Sequence, residues 1–263
     1  MTGARGTKAH VVSAKGAASV TRALPEEVPV ALVYNGSTQA VMMATPNDLE
    51  DFGRGFSRTE GMGTPESIEI VRHARGIEVQ MWLPEVEAEE LAARRRAMTG
   101  PVGCGLCGID SLDEALRDVP VVDADLRLSA GNVADAMAAL RAGQHLHDKT
   151  RAVHGAGFYV PERGMVAIRE DVGRHNALDK LVGAAGDCST GALVLTSRVS
   201  VDMVQKAAAA GAPVICAVSA PTTLAVETAK AAGITLVALA RDTTFEVFTH
   251  PHRIENEGET DVA

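Results

Sequence analysis

The chain has 263 residues, 46% of them hydrophobic and 22% charged, an ordinary globular composition that excludes a disordered, collagen-like or low-complexity protein. A chain of this length makes one or two domains and buries about three quarters of its unfolded surface without needing disulfides. Acidic residues outnumber basic ones 34 to 25, a net charge of -9, which argues against a general nucleic-acid binder held by phosphate neutralisation.

The N-terminal stretch Met1 to Arg22 carries Arg5, Lys8, Lys15 and Arg22 with no acid, and lacks the apolar core and cleavage site of a signal peptide. It reads as a mobile tail over 1–25. The first ordered element is a hairpin, Val30 to Tyr34 and Gln39 to Ala44, turned at Asn35-Gly36. Thr45, Pro46 and Asp48 form a helix start of the capping-box kind, followed by Leu49, Phe52 and Phe56 at helical spacing and ended by Gly61 and Gly63. Ser67 to His73 and Gly76 to Leu83 alternate as paired strands, and a helix runs from about Glu85 to Met98, stopped by Gly100-Pro101. The loop Gly100 to Gly108 leads to a short helix with Ser111 and Glu114 as a second capping box, which closes an α+β region over 26–128.

Asn132 is placed to cap a helix reaching about Ala142, and Gly155 to Val160 with Met165 to Glu170 forms a hairpin around Pro161 to Gly164. From Ala177 a helix extends to about Ala185. Strands Ala192 to Ser197, Val214 to Ser219 and Ile234 to Ala240 then alternate with helices Val201 to Ala210 and Thr223 to Ala232, before a last strand, Phe245 to Thr249. Short continuous apolar strands joined by helical crossovers imply a parallel β-α-β-α-β layer with helices on both faces, so the fold class is α/β. This region spans 129–254, and the acidic stretch 255–263 reads as disordered. The most apolar segment, Ala207 to Ala220, is broken by Gly211 and Pro213 and is too short to span a bilayer, so no membrane is expected and the cytoplasm is the expected compartment.

Three groups of residues carry candidate chemistry. Of the four cysteines only Cys104 and Cys107 are close, in Gly103-Cys104-Gly105-Leu106-Cys107-Gly108, which is no disulfide framework of a secreted protein. A structural zinc site lacks its second ligand pair. A zinc deaminase lacks its His-x-Glu, because none of the eight histidines is followed two residues later by Glu, so no metal is expected. A glycine-flanked thiol can direct backbone N–H groups at its sulfur and lower its pKa, which suits a nucleophile that accepts sulfur; two buried cysteines packed at a turn are the plain alternative. The second group, Glu170 to Lys180, sets Arg174 and His175 at a helix start that favours an anion, while Asp171 serves equally as a cap and Arg174 as a partner of Glu170. The third is the rim beyond the carboxyl ends of the parallel strands. Ser197, Arg198, Ser219, Thr222, Thr223 and the run Leu239-Ala240-Arg241-Asp242-Thr243-Thr244 offer it hydroxyls and cations, with Arg253 a further cation. Neither a GxGxxG nor a P-loop pattern occurs.

Four blocks in this order resemble the formate dehydrogenase accessory sulfurtransferase family, often called FdhD. They are Glu27 to Gly36, Gly103 to Gly108, Glu170 to Lys180 and Val218 to Val226, within a resemblance spanning about residues 26 to 254. The resemblance implies a core related to the cytidine deaminase fold without its zinc chemistry. It implies a homodimer that takes sulfane sulfur from a cysteine desulfurase as a persulfide. That sulfur would pass to the molybdenum of bis(molybdopterin guanine dinucleotide), bound as substrate with no permanent cofactor, before the cofactor enters formate dehydrogenase. By the same resemblance Cys104 is the persulfide-forming cysteine, Cys107 a relay or protecting thiol, and Leu239 to Thr244 the cofactor-binding stretch. A non-catalytic cofactor chaperone and a thiol oxidoreductase are the competing readings.

Overall fold

The computed structural model describes residues 3–98 and 119–255. Strands β1 (Ala4–Ser13) and β2 (Gly16–Pro25) pair antiparallel from Ala4↔Pro25 to Ser13↔Gly16. The stretch expected as a mobile tail is therefore a regular hairpin. Its turn is closed by Gly16 at φ 131, with the Ser13 hydroxyl accepting from Lys15 N at 3.2 Å. Nearly every residue on it is exposed, so no apolar alternation announces the strands in the sequence.

β3 (Val28–Tyr34) and β4 (Ser37–Ala44) form the expected hairpin, and Asn35 and Gly36 both take positive φ, 45 and 79, as the tight turn requires. With β5 (Ser67–His73) and β6 (Gly76–Trp82) they make a four-stranded sheet in the order β4-β3-β6-β5, in which β3 and β6 run parallel. Helix α1 (Leu49–Thr59) lays Leu49, Phe52 and Phe56 against Val30, Leu32, Val79 and Met81. Full burial of one such side chain as Phe52 contributes about 1.5–3 kcal/mol. The capping box read at Thr45 does not form. Asp48 holds the N-cap position at φ 53 with no side-chain cap bond, and Thr45 turns inward to a distant carboxylate. Helix α2 (Glu85–Met98) spans the range read from the sequence. The cysteine loop and the helix expected from Ser111 lie outside the described residues.

β7 (Leu128–Ser129) leads into α3 (Ala130–Gly143). Ser129 caps it through Asn132 N at 3.1 Å, and Asn132 answers from the third helical position by accepting from Ser129 N at 3.0 Å. Asn132 is thus the second half of a capping box rather than the cap. After the short α4 (His145–Thr150) come β8 (His154–Val160), β9 (Gly164–Asp171), α5 (Arg174–Ala185), β10 (Ala192–Leu195), α6 (Val201–Ala209), β11 (Val214–Ala217), α7 (Thr223–Ala231), β12 (Thr235–Arg241) and β13 (Thr244–Thr249). A short strand, β14 (Ile254–Glu255), returns to pair with β7. The large sheet has the order β13-β12-β11-β10-β8-β9, with β10, β11 and β12 parallel and its flanking strands antiparallel.

Helices cover both faces, as expected. Leu178, Leu181, Met203, Val204, Ala225 and Ala229 pack with Leu193, Ile215 and Leu236 on one face. Val133, Ala136 and Leu140 of α3 pack with Val194, Cys216 and Val237 on the other. No helix among the described residues is long and apolar enough to cross a membrane.

The two sheets are joined where α1 crosses α5. A Cβ at Gly55 would run into the Asp179 carbonyl, and one at Gly183 into the Asp51 carbonyl, so the two backbones touch. Two buried lysines flank this contact. Lys180 Nζ donates to Asp171 Oδ2 at 2.6 Å, and Lys206 Nζ meets Asp179 Oδ1 at 2.9 Å and Glu60 Oε1 at 2.5 Å. Gly55→Ala should force α1 from α5 and lower unfolding stability by about 2 kcal/mol or more. Gly131→Ala, whose Cβ would lie an ordinary 3.5 Å from Ser129 Oγ, should leave stability unchanged or raised. Denaturant melts of both variants check this.

Candidate functional site

Parallel strands β10, β11 and β12 end side by side, and the loops that leave them are tied by backbone bonds. Val218 N donates to Leu195 O at 3.1 Å, Val199 N to Ala220 O at 3.4 Å, Thr222 N to Val199 O at 3.0 Å and Leu239 N to Ser219 O at 3.5 Å. Ser197, Arg198, Ser219 and Leu239 therefore share one rim, as the strand pattern predicts. β8 and β9 flank β10 in an antiparallel run, which brings the start of β8 and the end of β9 to the same edge. Gly155 N donates to Thr196 Oγ1 at 2.9 Å, and His154 lies opposite Asp171. α5 begins there with Arg174 and His175, and His175 Nε2 comes within 3.6 Å of Asp202 Oδ2 on α6.

The helix ends set the electrostatics. The first N–H groups of a helix have no partner inside it and carry the positive end of its dipole. α7 is closed by Thr222, whose hydroxyl accepts from Ala225 N at 3.2 Å, so that side chain serves the helix. α5 and α6 start at Gly173 and Ser200 without a side-chain cap, and Ser200 Oγ donates instead to Asp202 Oδ2 at 3.2 Å. Two positive helix ends thus open on a rim that also carries Arg174, Arg198 and Arg241, which is how a fold accommodates an anion.

Leu239 sits at φ 53, in a β-bulge between Ala238 and Arg241. An L-residue in this conformation costs about 1–2 kcal/mol. The bulge separates buried Thr235–Ala238 from Arg241, Asp242, Thr243 and Thr244, which are all exposed in the hairpin turn into β13, with Ala240 buried between. Ser197 is buried and donates its hydroxyl to Arg198 O at 3.0 Å. Arg253 does not join the rim. It is buried and donates to Ala124 O at 3.2 Å and Gly233 O at 2.7 Å, beside the opposite end of β12.

The segment Glu170–Lys180 divides its labour. Glu170 accepts from Leu146 N at 2.7 Å and His147 N at 2.8 Å and so caps α4 from outside, which leaves it unavailable to Arg174. Arg174 Nε is buried and, among the described residues, has no hydrogen-bond partner; the same holds for His175 Nε2. Burial, reinforced by the Arg174 cation, holds both His154 and His175 below the ordinary histidine range. Sequence reasoning missed Asp202, which faces His175, and the partners of Asp171: Thr45, Asn176 and Lys180. A lysine next to an aspartate on a helix looks like a solvated pair, and nothing local marks it as buried.

Cys104 and Cys107 lie outside the described residues. Cys188 and Cys216 are buried, and burial pushes their thiols up to about 11 and about 12. In the folded protein both should resist a thiol reagent at neutral pH and react only on unfolding, as counted by thiol titration with and without denaturant. The histidines give a pH effect of defined sign. An unfolded histidine gains its proton near pH 6.5, while His154 and His175 in the fold resist it, so stability should fall as pH drops from about 6.5 through their depressed values. Unfolding curves at stepped pH check the slope, and His154→Gln/His175→Gln should flatten it.

Comparison with known proteins bears on this geometry. A sulfur carrier protein FdhD from Agrobacterium fabrum is 56% identical over 242 residues, covering 89% of both chains. One from Brucella abortus is 52% identical over 243 residues, and one from Xanthomonas axonopodis pv. citri 43% over 246, each covering roughly nine-tenths of both chains. The crystal structure of a protein from Desulfotalea psychrophila, provisionally assigned as a formate dehydrogenase accessory protein, superposes with a TM-score of 0.75 at 28% identity. The match covers 96% of this chain and 99% of that one. Residues 25–255 match the FdhD/NarQ family throughout, and the chain belongs to that family.

Proposed function

We propose that this protein is a sulfur carrier in formate dehydrogenase maturation, and that its rim holds the molybdenum cofactor, bis(molybdopterin guanine dinucleotide), as the sulfur acceptor. The observation that carries the reading is the rim itself: two uncapped helix starts and three arginines on one edge of an acidic protein suit a ligand with several phosphates. The relatives named as sulfur carriers support it. So does the burial of Cys188 and Cys216, which raises their thiols well above neutral pH and favours the glycine-flanked pair for sulfur chemistry.

On this reading the Cys104 thiolate attacks the outer sulfur of a persulfide on a cysteine desulfurase. The donor's S–S bond breaks, a new S–S bond forms on Cys104, and the donor's thiolate leaves. Delivery breaks the new bond. The outer sulfur passes as a neutral sulfane atom to reduced molybdenum, which gives up two electrons to hold it as sulfide, and the Cys104 thiolate is restored, with Cys107 relaying or protecting. Arg174, His175, Ser197, Arg198, Ser219 and Leu239 to Thr244 would hold the cofactor. The same reading takes the protein as a cytoplasmic homodimer and its large sheet as a relative of the cytidine deaminase layer.

Incubation with a cysteine desulfurase and cysteine, followed by intact-mass measurement, should show a gain of one sulfur atom that reduction removes. Cys104→Ala should abolish the gain; full retention of it would overturn the assignment. A chaperone without sulfur chemistry would bind guanine nucleotide yet gain no sulfur. With GDP as probe, Arg198→Gln and Arg241→Gln should each weaken binding about tenfold, as expected for loss of a charge-assisted phosphate contact.

A further inference from the structure

Arg174 and His175 occupy the first turn of α5, and the side chains that hold this turn in place are not on the rim at all. Just before the helix stands Asp171, wholly buried. Its Oδ1 accepts from Gly173 N at 2.8 Å and from Asn176 Nδ2 at 3.1 Å, the two groups that bracket Arg174 and His175. Its Oδ2 accepts from Thr45 N at 2.9 Å, Thr45 Oγ1 at 2.8 Å and Lys180 Nζ at 2.6 Å. One oxygen thus holds the turn and the other holds the end of β4. The Lys180 ammonium is fully satisfied by Asp171 and by Thr45 O and Oγ1, each at 2.9 Å. Asn176 closes the circuit by donating to Met43 O at 2.8 Å.

This arrangement exceeds what capping requires. A cap takes one of the free N–H groups at a helix start, and an exposed aspartate would serve for that, whereas Asp171 takes the N–H of Gly173, one position earlier, and caps none of them. Here the acceptor is buried, charge-balanced by a lysine at the end of the second turn of the same helix, and anchored on another sheet. A buried ion pair of this kind gives little net stability over apolar residues of like volume, but it admits few geometries. Gly173 cannot move without breaking the Oδ1 bond, and a Cβ there would already press on Asn176 Nδ2 at 2.9 Å. The turn is held in one place.

We infer that Thr45, Asp171, Asn176 and Lys180 are positioning residues that fix Arg174 and His175 to receive the anionic group of the ligand, and that Thr45 makes this geometry depend on the four-stranded sheet. The inference rests on the proposed anion-binding role of the rim. None of the four touches the ligand; they act through the turn. Misplacement of a binding group by an ångström is enough to weaken an interaction severalfold or more.

The test uses the full chain, with GDP and inorganic pyrophosphate as probes. Thr45→Val keeps the side chain's shape while removing the hydroxyl that donates to Asp171 and accepts from Lys180. The folded variant should bind both probes about tenfold more weakly than the wild type. Its His175 ring, followed by NMR and assigned with His175→Gln, should titrate closer to an ordinary histidine as the relaxed turn lets water reach the ring, since burial is the main cause of its depression. Thr45→Ser, which restores the hydroxyl, should recover both. Should Thr45→Val fail to fold, Asn176→Ala carries the same two measurements, since it removes only the link from Oδ1 to Met43. Wild-type binding and titration retained in a folded variant, or no recovery in Thr45→Ser, would overturn the positioning role alone. No binding of either probe by the wild type would overturn the anion-site reading and this inference together.

Discussion

The contact of α1 with α5 at Gly55 and Gly183 fixes everything that follows. With no side chain between them the two backbones meet directly, so the helices have one separation available rather than a range. The same closeness seals what lies beside it from water. That is why Lys180 and Lys206, one on each side of the contact, must find their carboxylates inside the protein. Both ammonium groups also lie over phenylalanine rings of α1, Lys180 at 5.8 Å from Phe52 and Lys206 at 5.5 Å from Phe56. Burial opposes charge on Lys206, but Asp179 and Glu60 outweigh it and hold its ammonium above the ordinary lysine range. Arg58, at the end of α1, donates to the carbonyls of Gly186 and Ala210, where α5 and α6 stop. One helix of the smaller sheet therefore grips two helices of the larger, along their faces and at their carboxyl ends, and so governs where their amino ends point.

Much of this fold was legible because its signals are local. Ile77, Val79 and Met81 alternate, the apolar runs at Ala192, Val214 and Thr235 are short and uninterrupted, and the helices between them have ordinary lengths, so the parallel centre of the large sheet follows from the chain. The rim follows in turn, since ligand-facing loops in such sheets lie beyond the strand ends. What escaped was decided by distant partners. Thr45 and Asp48 spell a helix cap, but Asp171, 126 residues away, offers Thr45 a buried carboxylate that a local cap bond cannot match. Arg253 reads as a free cation, but it is buried and spent on the carbonyls of Ala124 and Gly233, 129 and 20 residues away. The hairpin of β1 and β2 escaped for the opposite reason: it buries almost nothing, so hydrophobic pattern had nothing to report.

The charge of the molecule and the charge of the rim point in opposite directions without conflict. The net charge of -9 is a sum over the whole chain, and in salt near 0.1 M the influence of a surface charge fades over about 10 Å. Over shorter distances the partial charges of uncapped N–H groups and of nearby guanidinium groups set the field. Asp202 and Asp242 temper that field on the same edge, one facing His175 and one beside Arg241. An anion that spans several contacts can satisfy the arginines and helix starts together. A small one meets a single cation beside a carboxylate, which favours extended ligands over isolated phosphate.

The division between scaffold and chemistry is equally physical. A thiol in the packed sheet is a poor nucleophile: Cys216 is buried, and burial pushes its thiol up to about 12. Sulfur transfer further requires a sulfur that meets first a donor and then an acceptor, two encounters that one fixed position inside a close-packed core cannot serve. On the proposed reading a carrier needs a thiol that can move and a seat for the acceptor that cannot. The glycine contact, the two buried lysines and the Asp171 cluster all act on the second requirement. They hold the start of α5 in one place on the rim, which is the rigid half of that pair.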